Sequence, residues 1–246
     1  MTTELTVIIP CYNEEKYIYN QLIKIQESID KMIIYEIILI NDGSSDKSIN
    51  EINRFLNDNK LNNFILIENE KNLGKSNSVI KGINLAKGKY FVIQDADNEY
   101  DPADLNFLYM EGRYKDFDVI YGNRFGQYNP VVHWHGFYGN QALTLLLNFF
   151  SLHRIKTYIG DMHTCYKMIR TEIALEVIKD LNIQDSFALD TIITVKLTKY
   201  KRNNEYLKFI NLPISYYPRN KSEGKKLNPI SDGIKCVYNI IKYNIF

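Results

Sequence analysis

One repeated pattern constrains the fold of this chain more than any other feature: a short β-branched run, a polar turn, then an amphipathic helix. Leu5 to Ile9 is an apolar run of strand length stopped at Pro10, and helical spacing then puts Ile18, Leu22, Ile25 and Ile29 on one face. Tyr35 to Ile40 is a second such run. After Gly43-Ser44-Ser45 comes a helix that groups Ile49, Ile52, Phe55 and Leu56, with a serine available as its N-cap. Phe64 to Ile67 (strand), Lys75 to Ala86 (helix) and Tyr90 to Ile93 (strand) continue the series. Asp101-Pro102 opens another helix, because proline suits a first helical turn. This alternation predicts an α/β fold, a doubly wound and mostly parallel sheet flanked by helices.

Ligands of such sheets gather at the carboxyl ends of the strands. Three polar clusters stand there: Pro10-Cys11-Tyr12-Asn13-Glu14, Asn41-Asp42-Gly43-Ser44 and Asp95-Ala96-Asp97. Two carboxylates one residue apart at a strand exit suit a hard divalent cation, with Glu99 as a third oxygen ligand. A bare Asp-x-Asp reads equally as a solvated acidic turn, and only its position at the strand end favours the metal.

The second half is less regular. Asp118 to Tyr121 and Met162 to Met168 read as strands, Gln141 to Ser151 and Leu189 to Tyr200 as helices, and Leu207 to Tyr217 as an extended segment running into Pro218-Arg219. From Pro229 to Phe246, Ile230, Ile234, Val237, Ile240 and Ile241 recur at helical spacing, with Lys235 and Lys242 between them. That amphipathic helix either packs on the domain or lies on an anionic membrane surface. Without repeats or a linker, residues 1–246 read as one domain, a first half over 1–125 and a second over 126–246.

A net charge of +1 gives no reason to expect a nucleic-acid partner. Cys11, Cys165 and Cys236 lack metal-binding spacing and suggest a reducing compartment. No signal-peptide pattern opens the chain, and no apolar run approaches the ~20 residues of a spanning helix, so a cytoplasmic location is expected. The absence of GxGxxG after the first strand argues against a dinucleotide-dependent oxidoreductase. His133-Trp134-His135, with His153 and His163, suggests either a transition-metal site or an aromatic-rich loop over an acceptor; no third ligand has matching spacing.

Val7-Ile8-Ile9-Pro10-Cys11-Tyr12-Asn13-Glu14-Glu15, Asn41-Asp42-Gly43-Ser44-Ser45-Asp46, Asn72-Leu73-Gly74-Lys75 and Asp95-Ala96-Asp97 occur in the order and spacing of family 2 glycosyltransferases with the GT-A fold. The chain resembles that family over residues 1–125. The resemblance implies a nucleotide-sugar donor and a Mg2+ or Mn2+ ion. Pro10, Tyr12, Asn13 and Glu14 would hold base and ribose together with Asp42, which would accept from a base N–H. Asp95, Ala96 and Asp97 would hold the metal-bound diphosphate. Lys75 either lies near the nucleotide or is a solvated helix-start lysine.

The second half resembles the polyprenyl-phosphate, dolichyl-phosphate-mannosyltransferase-like branch, through Tyr121-Gly122-Asn123-Arg124-Phe125, Asp161-Met162-His163-Thr164-Cys165-Tyr166-Lys167 and Tyr217-Pro218-Arg219 leading into Ser222-Glu223-Gly224-Lys225-Lys226. This implies a lipid-phosphate acceptor, its phosphate held by Arg124, Arg219, Lys225 and Lys226. Asn98-Glu99 departs from the branch, where an apolar residue and a glutamine are usual, and Asp190 stands where a glutamate is frequent. A phosphate acceptor is already an anion and needs no base. A sugar hydroxyl would need one, with Asp161 or Asp190 as candidates. The expected activity is inverting, metal-dependent transfer of a hexose from a GDP- or UDP-sugar to a polyprenyl or dolichyl phosphate at a cytosolic membrane face. The alternatives are a glycan-hydroxyl acceptor in surface-polysaccharide synthesis and a non-catalytic nucleotide-sugar-binding protein.

Overall fold

A computed structural model describes residues 2–131, 134–181, 188–219 and 229–245. In chain order the elements are β1 (Leu5–Cys11), α1 (Ile18–Ser28), β2 (Tyr35–Asn41), α2 (Ser48–Asn59), β3 (Phe64–Glu68), α3 (Lys75–Leu85), β4 (Tyr90–Ile93), α4 (Asp104–Lys115), β5 (Val119–Asn123), α5 (Trp134–Ile155), β6 (Lys167–Arg170), α6 (Thr171–Ile178), α7 (Ala188–Lys199), the short β7 (Lys201–Arg202) and β8 (Glu205–Tyr206), β9 (Phe209–Pro213) and α8 (Pro229–Ile245).

Seven strands form one sheet in the order β3-β2-β1-β4-β6-β5-β9, and β7 pairs only with β8. All pairings in the large sheet are parallel except those of β6, which runs antiparallel between β4 and β5. Central strands β1 and β4 are apolar almost throughout and buried, as expected where helices cover both faces. Register positions the site: Cys11 lies opposite Asn41, and Ile8 opposite Ile93. The turns that follow β1, β2 and β4 therefore emerge side by side.

Four elements differ from the sequence-based expectation. The strand predicted over Met162 to Met168 begins only at Lys167. Upstream, side chains satisfy the backbone instead of a ladder: Met162 N–H donates to Thr144 Oγ1 (3.3 Å) and Cys165 N–H to the Tyr100 hydroxyl (2.9 Å). Ser48 lies inside α2, whose cap position is Lys47. Its hydroxyl donates to Asp46 and accepts from Glu14 N–H (2.8 Å), so it joins two turns and does not cap a helix. Asp101 accepts from Ala103 N–H (3.0 Å) in a turn before α4, which starts at Asp104. Helix α5 extends well beyond the predicted Gln141–Ser151 at both ends.

Helix α3 lies directly on β1 at Gly82, where a Cβ atom would meet Ile8 Cγ2 at 2.4 Å. Gly82→Ala is expected to cost ~1–3 kcal/mol through overpacking, with favourable coupling to Ile8→Ala in a double-mutant cycle. Thermal unfolding reads both effects, and an unchanged midpoint would contradict this close approach.

Candidate active site

The first two turns are stitched together by their own side chains. Asn13, in a left-handed conformation (φ 56°), accepts from Ser45 N–H (2.8 Å) through Oδ1, and its own N–H donates to Ser44 Oγ (3.0 Å). Glu15 N–H donates to Asp46 (3.1 Å), and Glu15 Oε2 accepts from Lys47 N–H (2.9 Å). Asp42, 2% exposed, accepts from Asn69 Nδ2 (2.8 Å), Leu73 N–H (3.0 Å) and Gly74 N–H (2.8 Å). Gly43 keeps φ +67° beneath this loop, where a Cβ would meet the Lys71 carbonyl carbon at 2.5 Å. Asp42 thus clamps the loop that delivers Lys75, and any base contact must share its carboxylate with that clamp.

The third turn is the acidic one. Lys75 Nζ lies 2.5 Å from Asp95 Oδ1. Burial works against the lysine's charge, but Asp95 outweighs it and holds Lys75 protonated above the usual lysine range. Lys75, at the start of α3, is thus paired with the acidic turn. On the other side of the motif, Arg219 donates to Asp97 Oδ2 (2.8 Å) and Glu14 Oε2 (3.0 Å), and its backbone N–H to Glu99 Oε1 (2.9 Å). The Tyr216 hydroxyl donates to Glu99 Oε2 (2.9 Å), and Tyr217 N–H to the Glu99 carbonyl (2.8 Å). The returning segment 216–219 is thereby fastened to the acidic turn. Burial, with Asp95 and Glu99 beside it, pushes the Asp97 carboxyl up to about 7 against the opposing pull of Arg219.

Glu99, expected beside Asp95 and Asp97 as a metal ligand, has its carboxylate hydrogen-bonded to the Tyr216 hydroxyl and the Arg219 backbone. Among the described residues, no three His, Cys, Asp or Glu side chains are gathered as one ion's ligands. Glu14, Asp97 and Glu99 are instead spread around a planar guanidinium.

Arg124, expected to hold a phosphate, is paired inside the protein. Its guanidinium forks onto Asp161 (2.6 and 2.9 Å), lies 5.1 Å from the centre of the Tyr216 ring, and is largely buried. Asp161 also accepts from Asn140 Nδ2 (2.8 Å) and is wholly buried, which removes it as a proton acceptor for substrate. Burial would raise its carboxyl, but the Arg124 charge wins and holds it below the usual range. Asp190 pairs with the buried Lys167 Nζ (2.7 Å) yet keeps 31% of its side chain exposed, so of the two it is the reachable one.

The histidine expectation dissolves. His135 and His153 lie on α5, both exposed, and His163 bonds Asn140 (2.8 Å) and faces Cys236 Sγ (3.5 Å). Burial lowers the His163 pKa to about 4, keeping it neutral. His133, Lys225 and Lys226 lie outside the described residues. Sequence reasoning missed Tyr216, Asn140 and Lys167. The Tyr216-Tyr217 pair before Pro218-Arg219 was a usable signal for the first, whereas nothing in the local sequence marks Asn140.

Residues 6–178 match the protein-family model described as glycosyl transferase family 2, and the chain belongs to that family. It is 26% identical over 250 residues to the dolichyl-phosphate beta-glucosyltransferase of Dictyostelium discoideum, covering 97% of this chain and 73% of that protein. Against the dolichol-phosphate mannosyltransferase of Pyrococcus furiosus it is 25% identical over 243 residues, covering 98% of this chain and 64% of the relative. A crystal structure of glucosyl-3-phosphoglycerate synthase from Mycobacterium tuberculosis with Mn2+, UDP and glucosyl-3-phosphoglycerate shares the fold, with a TM-score of 0.67 at 12% identity over 98% of this chain and 80% of that one. The architecture is the GT-A fold of glycosyltransferases.

Asp161→Asn would leave the Arg124 guanidinium buried without its counter-charge. A loss of roughly 3–5 kcal/mol in urea unfolding is expected. Asp190→Asn, at a partly exposed site, should cost clearly less; equal losses would contradict the difference in burial.

Proposed function

We propose that this chain transfers a hexose, with inversion, from a GDP- or UDP-sugar to a polyprenyl or dolichyl phosphate, with Mg2+ or Mn2+ as cofactor. The observation that carries the reading is the meeting of Arg219 with Glu14 and Asp97, beside the Lys75–Asp95 pair, at the carboxyl ends of β1 and β4. A nucleoside diphosphate and its cation need this combination of carboxylates and cationic side chains in one place. Residues 1–125 then form the donor half and residues 126–246 the acceptor half of a single domain.

The acidic turn fits a hard divalent ion. Asp95 and Asp97 offer oxygen donors, and both already attract cations, the Lys75 ammonium and the Arg219 guanidinium. The bound ion would supply neutralisation of charge on the departing diphosphate. Asp95 and Asp97 would hold it, and Pro10, Tyr12, Asn13, Glu14 and Asp42 would line the nucleoside side. Lys75 and Arg219, released from their carboxylates, would each turn a positive charge toward phosphate oxygens. An acceptor phosphate oxygen attacks the anomeric carbon as the bond to the donor diphosphate breaks, and the electron pair leaves with the diphosphate.

A phosphate acceptor brings its own anionic oxygen, because its second pKa is near ~6. No base is then required, in keeping with the burial of Asp161 in an ion pair. The similarity over nearly the whole chain to two dolichyl-phosphate-type enzymes supports the same acceptor. The reading also implies work at the cytoplasmic face of a membrane. A second reading, transfer to a glycan hydroxyl, is favoured by one observation: Asp190 is a partly exposed carboxylate in the electrostatic neighbourhood of Lys75.

The test is turnover of UDP- and GDP-sugars with and without Mn2+ and undecaprenyl phosphate. An organic-soluble sugar product that requires both is expected, and metal-dependent donor hydrolysis indifferent to the lipid would exclude the lipid acceptor. Asp97→Asn should lower kcat by roughly 10²–10³-fold, as loss of one preorganised electrostatic group does. Because Asp97 loses its proton only near about pH 7, Mn2+ binding is expected to tighten as pH rises from about 6 to 8, with proton uptake by buffer. Calorimetry in buffers of different ionisation enthalpy reads that proton, and Asp97→Asn should abolish it.

A further inference from the structure

The Asp42 carboxylate is almost fully hydrogen-bonded by the protein itself. Its Oδ1 accepts from Asn69 Nδ2 (2.8 Å) and from the Leu73 N–H (3.0 Å), and its Oδ2 accepts from the Gly74 N–H (2.8 Å). A carboxylate offers about four lone-pair directions, two on each oxygen. Three are taken, so one remains, and it lies on Oδ2. At 2% exposure, Asp42 has almost no water to stand in for a missing partner.

The orientation of Asn69 is fixed as well. Lys81 Nζ donates to Asn69 Oδ1 (2.8 Å). An ammonium can only donate, so the amide oxygen faces Lys81 and the NH2 group faces Asp42. The Asn69 N–H donates to the Asn41 carbonyl (2.9 Å), which keeps the residue beside Asp42 just past the end of β3. Asn69 is only 9% exposed, and the second hydrogen of its NH2 group donates to no described residue. Side by side, Asn69 and Asp42 thus offer one donor and one acceptor.

The two bases of the proposed donor differ in how they meet this pair. Uracil presents a single ring N–H between two carbonyls. Guanine presents a carbonyl, a ring N–H and an exocyclic amino group, in that order. Either base can give its ring N–H to Asp42 Oδ2 and a carbonyl to Asn69. Guanine alone brings a second donor to the carboxylate, and Oδ1 is already full. To meet guanine with both oxygens, Asp42 would have to release Asn69 or the Leu73 backbone. A donor left without an acceptor in a buried site is costly, and sites discriminate between ligands on that ground.

We propose that Asn69, acting through Asp42, selects a uracil nucleotide over a guanine nucleotide. The inference rests on the reading that puts Asp42 on the nucleoside side of the donor site, and it narrows the donor to a UDP-sugar. Lys81 is the positioning residue that holds the Asn69 amide. Selection falls on the exocyclic amino group and not on the size of a purine, because the acceptors of Asp42 set it.

Titration calorimetry of the full chain with Mn2+ and nucleoside diphosphates tests this. UDP is expected to bind more tightly than GDP by roughly tenfold to a hundredfold. Inosine diphosphate keeps the carbonyl and ring N–H of guanine and lacks the amino group, so it should bind roughly tenfold more tightly than GDP. Asn69→Ala frees a lone pair on Oδ1 and should bring GDP level with inosine diphosphate. Simple loosening of the loop would weaken all three nucleotides and leave their ratios unchanged. GDP binding as tightly as UDP would overturn the proposal, as would inosine diphosphate no better than GDP, or ratios that Asn69→Ala does not move. If none of the three binds, the donor reading itself falls and takes this inference with it.

Discussion

Opposite charge held across the sheet edge is the interaction on which this site depends. Arg219 comes from the far end of the chain, after β9, and its guanidinium lies between Glu14 from the turn after β1 and Asp97 from the turn after β4. Parallel pairing of β1 with β2 and β4 brings those turns together, and Arg219 ties the second half of the chain to them. Without that cation, Glu14, Asp97 and Glu99 would face one another at a half-buried edge. The carboxyl of Asp97, pushed up to about 7, records how strongly burial and its acidic neighbours oppose its ionisation.

The second half of the chain is organised by ion pairs of a different kind. Arg124–Asp161 is closed and buried, surrounded by Asn140, Tyr216 and the α5 helix, and it fixes the loop that precedes β6. Lys167–Asp190 is buried at its lysine end and open at its carboxylate end. The first pair is therefore structural, and the second leaves one group facing outward.

The first half of the chain was legible in the sequence because its physics is local. Strand runs are short and apolar, each ends in polar residues, and the register of a parallel sheet does the rest; Asp95, Asp97 and Asp42 lie where that reasoning put them. The second half was not legible to the same degree. The roles of Arg124, Asp161 and Glu99 depend on partners between 21 and 120 residues away, which no local pattern reveals. Backbone groups around Met162 are satisfied by Thr144 and Tyr100, so a strand-like run stayed irregular.

The most direct test of the central claim is a structure of the chain with Mn2+ and a nucleoside diphosphate. The account predicts the ion on Asp95 and Asp97 against the diphosphate, with Arg219 no longer on Asp97. Nucleotide bound with Arg219 still joined to Asp97 and no ion at Asp95 would contradict it.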